Sequence, residues 1–207
     1  MAFPRVLPVG DAAATVELGP DMDPRAVALA AALRADAPEW LEDVVPTLGA
    51  VLVRFGPSVS WAEVQRVLLE RAAAAPPATA VGGREVVLRA RYDGPDLPEV
   101  ARATGLTPDD VVALHASGTY RVQMVGFLPG FAYLGPLPEA LRLPRRATPR
   151  VRVPAGALAV AESFSAVYPS ESPGGWHLIG SVEATLFEAH RDPPVLLTPG
   201  DVVRFVP

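Results

Sequence analysis

The chain has 207 residues, half of them hydrophobic and a fifth charged, with a formal net charge of −5. That is enough chain to bury one large core or two small ones, and the acidic balance gives no reason to expect nucleic acid or an acidic membrane surface as partner. Cysteine is absent and all 18 basic residues are arginine, which excludes a thiolate nucleophile, a thiolate metal site, a P-loop lysine and a Schiff-base lysine from this chain.

The lack of lysine reads in two ways. It reflects a GC-rich coding composition, or it leaves anion binding to Arg forks and backbone N–H groups. No apolar stretch reaches the ~20 residues of a membrane span. The segment from Met1 to Pro8 has no charged head followed by an apolar run, so no signal peptide is expected and the cytoplasm is the expected location.

In chain order, Thr15–Leu18 reads as a short strand. Asp23-Pro24 has the form of an N-cap with Pro at the first helical position, and Val27, Ala30, Leu33 and Ala37 follow at helical spacing. Val51–Phe55 is a strand. Ser60 and Glu63 form a capping-box pattern ahead of an apolar face of Val64, Val67, Leu68 and Ala72. Arg71–Ala75 ends that helix, because Pro76-Pro77 cannot continue it, and Gly82-Gly83 supplies a joint. The expected domains are 1–83, a small α/β domain with helices on one face of a sheet, and 84–207.

In the second part, Val86, Leu88, Ala90 and Tyr92 alternate with Glu85, Val87, Arg89 and Arg91 as on a half-buried strand. One helix starts at Asp96, with Glu99 three residues on. Another starts at Thr107-Pro108 and ends near Gly118. From Tyr120 onward, short apolar runs are cut by Pro and Gly every ten or so residues, the spacing of a β-barrel or sandwich. Pro199-Gly200-Asp201 turns the chain into a last strand, Val202 to Val206.

Two loops stand out. Val125–Leu134 carries Phe127, Phe131 and Tyr133 with Gly126, Pro129 and Gly130; Tyr168–Trp176 carries Ser172, Gly174 and Gly175 between its aromatics. Glycine admits close backbone approach and can present N–H groups to an anion, and aromatics give flat contact surfaces. The alternative is that both loops plug one end of a barrel. Between them lie Arg142, Arg145, Arg146, Arg150 and Arg152, a positive patch that either grips a carboxylate or phosphate or forms a solvated face. His115, His177 and His190 are scattered without metal-ligand spacing, so no metal site is expected.

The motifs take the reading further. Tyr92-Asp93-Gly94-Pro95-Asp96-Leu97, His115, Tyr120 and Gly126–Leu134 come first. Pro144-Arg145-Arg146, Pro149-Arg150, Val153–Gly156, Tyr168-Pro169, Ser172–Trp176 and Ile179-Gly180 follow. In order and spacing the chain resembles the family of 5-oxoprolinase B-type subunits, also called allophanate hydrolase subunit 1 and histidine-kinase inhibitor. The match is strongest over residues 86–207.

This resemblance implies an α+β fold, in which a small N-terminal α/β domain is followed by a cyclophilin-like β-barrel domain. It implies the A-type and C-type subunits of 5-oxoprolinase as partners, the latter called allophanate hydrolase subunit 2. Such a complex opens 5-oxo-L-proline to L-glutamate at the expense of ATP, with the chain inactive alone. The family's other role, inhibition of a sensor histidine kinase, implies a protein interface with aromatic anchors such as Phe127 and Phe131. On this reading Arg145, Arg146, Arg150, Gly156, Tyr168, Ser172, Gly174, Gly175 and Trp176 are expected to bind substrate. His115, Tyr120, Phe127, Pro129, Phe131 and Tyr133 are expected at an interface or pocket. Two departures accompany the match. Ser181-Val182 follows Ile179-Gly180 where the family has Arg-Thr, and Ala166-Val167 precedes Tyr168-Pro169 where it has Gly-Ile.

Overall fold

The computed structural model describes residues 3–19, 23–75 and 82–207. Within it the chain divides into two compact units, Met1–Gly82 and Gly83–Pro207. The Pro76-Pro77 break expected at the joint lies outside the described residues.

In the first unit, strands β1 (Arg5–Pro8), β2 (Ala13–Glu17), β3 (Leu41–Pro46) and β4 (Ala50–Phe55) form an antiparallel sheet in the order β1-β2-β4-β3. Alternation sends Val51, Val53 and Phe55 of β4 to one face with Val16 and Val44. Helices α1 (Arg25–Ala35) and α2 (Trp61–Ala73) close that face with Leu29, Leu33, Val64 and Leu68, each burial stabilising by about 1.5–3 kcal/mol.

The expected start of α1 shifts by one residue. Pro24 stands before the helix, and the Asp23 carboxylate accepts the Arg25 N–H at 2.9 Å. At α2 the Ser60 hydroxyl accepts the Glu63 N–H at 3.3 Å. β1 and β3 were not legible: β1 is short and ends in Pro8, and β3 carries Glu42 and Asp43 on exposed positions.

The second unit is a closed seven-stranded barrel with two helices. Its strands are β5 (Glu85–Arg91), β6 (Thr119–Val125), β7 (Ala132–Gly135), β9 (Ala157–Ala161), β10 (Phe164–Val167), β12 (His177–Val182) and β13 (Val202–Val206), joined in the order β10-β7-β6-β13-β5-β12-β9. β13 lies parallel to β5 and antiparallel to β6, so the last strand of the chain closes the sheet. A separate ribbon pairs β8 (Arg150–Val153) with β11 (Ser172–Gly174).

Helix α3 (Leu97–Thr104) packs on β12, and α4 (Pro108–Ser117) packs on β13. α4 starts with a full capping box, Thr107 and Asp110 satisfying each other's backbone N–H groups. Leu88, Val122, Leu134, Leu158, Val160, Ile179 and Val203 make the core.

His115 and Tyr120, expected at an interface or pocket, belong to this core; both are 0% exposed. Tyr92 Oη lies 2.8 Å from His115 Nδ1, and His115 Nε2 lies 2.8 Å from Ser165 Oγ. Ser165 donates its own proton to Ala159 O at 3.3 Å. It therefore accepts from Nε2–H while Nδ1 accepts from Tyr92, which defines a neutral imidazole. Burial pushes the His115 pKa down to about 3, as removal of a charged ring from water requires. Among the described residues no helix is long and apolar enough to cross a membrane.

Candidate functional site

The loop between β6 and β7 folds on itself. The Leu128 and Phe131 N–H groups donate to Gly126 O and Leu128 O, and the Gly126 N–H returns to Phe131 O at 3.1 Å. Gly130 has φ +80°, and a Cβ there would sit 2.9 Å from Phe187 Cβ. This turn holds Phe131 buried, 1% exposed, and Phe127 outward, 61% exposed. The expectation of two surface aromatics thus narrows to Phe127. Phe131 is instead an aromatic hub, edge-on to Phe127, Tyr133, Tyr168 and Trp176 at centroid distances of 5.4, 5.2, 5.2 and 5.6 Å.

The second loop meets the first. The ribbon carries Pro173 and Gly174 alongside Tyr168, and Gly174 is required there: a Cβ would overlap the Tyr168 hydroxyl and lie 2.9 Å from Tyr168 Cζ. Burial raises the Tyr168 pKa, against the opposing pull of the Trp176 N–H bonded to the phenol. Together Phe127, Phe131, Tyr133, Tyr168 and Trp176, with Arg145, Pro149, Pro173, Gly174 and Gly175, enclose a cavity of about 250 Å³. The two loops singled out in the sequence therefore wall one pocket, with a guanidinium among its lining groups.

That guanidinium is Arg145. Its Nε lies 3.2 Å from Glu162 Oε1, and both side chains are about half exposed. Glu162 occupies the turn between β9 and β10 at φ +53°. Among the described residues the non-glycine positions with positive φ are Phe127, at +71°, and Glu162. One lines this pocket and the other pairs with its arginine. Left-handed backbone costs such residues on the order of 1 kcal/mol, and here that strain concentrates at a single site.

The other expected substrate ligands are placed elsewhere. Arg146 and Arg150 do not line the pocket; they grip Asp96, whose Oδ1 accepts from Arg146 Nη1 at 3.1 Å and Arg150 Nη2 at 2.6 Å. Arg146 also meets Glu99 at 3.0 Å. Arg152 pairs with Glu171, and Arg142 Nε donates to Leu137 O. Arg145, Arg146, Arg150 and Arg152 are thus paired with acids distant in sequence, while Arg142 is held by a backbone carbonyl.

Gly156 sits in the turn before β9, bonded to Tyr168 O and the Val182 N–H, and Ser172 is buried in the ribbon. Pro129 belongs to the pocket loop without lining the cavity. Of the departures, Ala166 is a core residue of β10, and Ser181 donates to Asp93 at 3.0 Å; neither lines the pocket.

Asp96, at the start of α3, is the acid on which two of these arginines converge. Burial works to raise its carboxyl, but the Arg150 guanidinium, the Leu178 N–H and the Arg146 charge prevail and hold it below the usual range. Its only local signal, an acid at a helix start, is equally that of an ordinary N-cap. Arg146 Nε, Arg150 Nη1, Ser172 Oγ and His177 Nδ1 are buried without a hydrogen-bond partner among the described residues. No cluster of three His, Asp or Glu able to hold a metal ion occurs among the described residues.

Comparison with known proteins agrees with this architecture. The 5-oxoprolinase B-type subunit of Escherichia coli O157:H7 is 54% identical over 114 residues, covering 55% of this chain and 52% of that protein. Its counterpart in Bacillus subtilis (strain 168) is 45% identical over 113 residues, covering 55% of this chain and 47% of that protein. The chain therefore spans about half the length of these curated relatives. The solved structure of TTHA0988 superposes with a TM-score of 0.81 at 41% identity, covering 94% of this chain and 39% of that one. The model of the carboxyltransferase domain, subdomain C and D, matches residues 4–197. The chain belongs to the carboxyltransferase domain, subdomain C and D family, and its relatives there are 5-oxoprolinase B-type subunits, as its motifs led one to expect.

Proposed function

We propose that this chain is the B-type subunit of a cytoplasmic, ATP-dependent 5-oxoprolinase, acting with the A-type and C-type subunits, and that its aromatic pocket holds 5-oxo-L-proline. The observation that carries the reading is the convergence of the two Gly- and aromatic-bearing loops on one cavity of about 250 Å³ with Arg145 in its lining. The substrate is a flat five-membered lactam with one carboxylate. Phe131, Tyr133 and Trp176 offer ring faces and edges to the lactam, and Arg145 exchanges Glu162 for the substrate carboxylate.

A lactam resists direct hydrolysis. Phosphorylation of its carbonyl oxygen creates a leaving group before water attacks and the ring opens to L-glutamate. The contribution of this chain is to orient the ring by its carboxylate and to restrict water around it with aromatic walls; ATP is handled by the complex. The reading is tested by co-expressing the three subunits and measuring ATP-dependent glutamate release from 5-oxo-L-proline. Release is expected from the complete complex, and an undiminished rate from a complex lacking this chain would overturn the proposal.

A further inference from the structure

We infer that Asp96, which touches no part of the cavity, is the residue that positions its walls, an inference whose functional consequence rests on the ligand-binding reading above. Two segments form the polar side of the pocket. One contributes Arg145 and Pro149, the other Gly174, Gly175 and Trp176. They meet directly in the ribbon, where Arg150 stands opposite Gly174, where the Arg146 N–H donates to Gly175 O at 2.8 Å, and where His177 Nε2 donates to Pro144 O at 2.9 Å.

Asp96 ties them a second time from behind. Its Oδ1 takes the Arg146 and Arg150 guanidiniums of the first segment, and its Oδ2 takes the Leu178 N–H, just beyond the second, at 2.7 Å. The carboxylate is 4% exposed. It stands at the N-cap of α3 yet makes no capping bond to that helix, whereas an N-cap carboxylate ordinarily bonds its own first turn. The three bonds that the Asp96 carboxylate accepts therefore all go to the wall segments and the strand that continues one of them. Removing the charge leaves two half-buried guanidiniums without their shared counter-ion and weakens the acceptor of the Leu178 N–H. The ribbon pairing and the two direct bonds are then left to set the separation of Trp176 from Arg145 without support from behind.

The test compares Asp96→Asn with Asp201→Asn. Asp201 is an equally buried carboxylate of the same unit that binds Arg84 at 2.8 Å and the Thr198 N–H at 2.9 Å, away from the pocket lining. The chain has three tryptophans, so its indole N–H resonances are assigned by single Trp→Phe changes, and 5-oxo-L-proline is then titrated. Both variants are expected to lower Tm. Only Asp96→Asn is expected to move the Trp176 indole resonance and to weaken 5-oxo-L-proline binding by about tenfold or more.

A folded Asp96→Asn protein with its Trp176 resonance in the wild-type position overturns the inference. So does an equal Trp176 shift in Asp201→Asn, which marks general loosening. If the wild-type protein does not bind 5-oxo-L-proline, the substrate reading falls and the indole comparison still decides the role of Asp96. If Asp96→Asn does not fold, Arg150→Lys, which keeps the charge and loses the fork, is read by the same resonance. An unmoved Trp176 there also overturns the inference.

Discussion

Arg145 is a pocket cation already engaged by an acid, so two substitutions should act on ligand binding with opposite signs. Arg145→Gln removes the group proposed to receive the carboxylate of 5-oxo-L-proline. A charge-assisted bond of this kind is worth roughly 1.5–3 kcal/mol when well shielded. Arg145 is 55% exposed on its side chain, and solvent screening reduces the loss to about 1–2 kcal/mol, or about five- to thirtyfold in Kd. Glu162→Gln removes the competitor at 3.2 Å. An exposed pair of this kind is worth about 0.2–1 kcal/mol, so freeing Arg145 should tighten binding by about 1.4- to fivefold. In the Arg145→Gln background the Glu162→Gln gain should vanish, because the pair no longer exists. Isothermal titration of the assembled complex with 5-oxo-L-proline reads all four proteins. Unchanged affinity in Arg145→Gln, or weaker binding in Glu162→Gln, would refute the reasoning.

Gly174→Ala places a methyl against the Tyr168 ring, 2.9 Å from Cζ; the phenol must shift, and a stability loss of about 1–3 kcal/mol with weakened binding is expected from thermal melts and titration. His115 is neutral when folded, with a pKa near 3 against 6.5 in the unfolded chain. The unfolded state therefore takes up the extra proton, and stability is retained above about pH 6.5 and lost as pH falls toward 3. The loss approaches about 1.4 kcal/mol per pH unit. Urea unfolding of the barrel unit between pH 7 and 4.5 should show this slope, and His115→Leu should flatten it. Thr107→Ala deletes the hydroxyl that caps the Asp110 N–H at 3.1 Å and should cost about 1 kcal/mol while leaving 5-oxo-L-proline binding unchanged.

What the sequence revealed and what it hid follow from the range of the interactions involved. Local rules served well. The alternation around Leu88 and Ala90 gave β5, the Thr107–Asp110 box gave the start of α4, and the Gly-Asp turn gave the strand that closes the barrel. β3 escaped because its solvent-facing positions hold acids and its pattern carries only Val44 and Pro46 as buried residues.

At the site, the composition of the two loops was legible, because Gly, Pro and aromatics in one short stretch are unusual in themselves. The fate of the arginines was not. Arg145 meets an acid 17 positions away, and Arg146 and Arg150 meet one 50 and 54 positions away. A run of guanidiniums looks the same in sequence whether it awaits a ligand or surrounds a buried aspartate. His115 was similarly ambiguous, since its partners Tyr92, just past β5, and Ser165, in β10, lie 23 residues before it and 50 after it.

The role of the pocket is decided by where a small carboxylate rests. A crystal of the assembled complex soaked with 5-oxo-L-proline, without ATP, addresses this directly. Density for the lactam in the cavity lined by Phe127, Tyr133 and Trp176, with its carboxylate on Arg145 and Glu162 turned aside, is the predicted result. Ligand bound at another surface while the Arg145–Glu162 pair stays closed would contradict it.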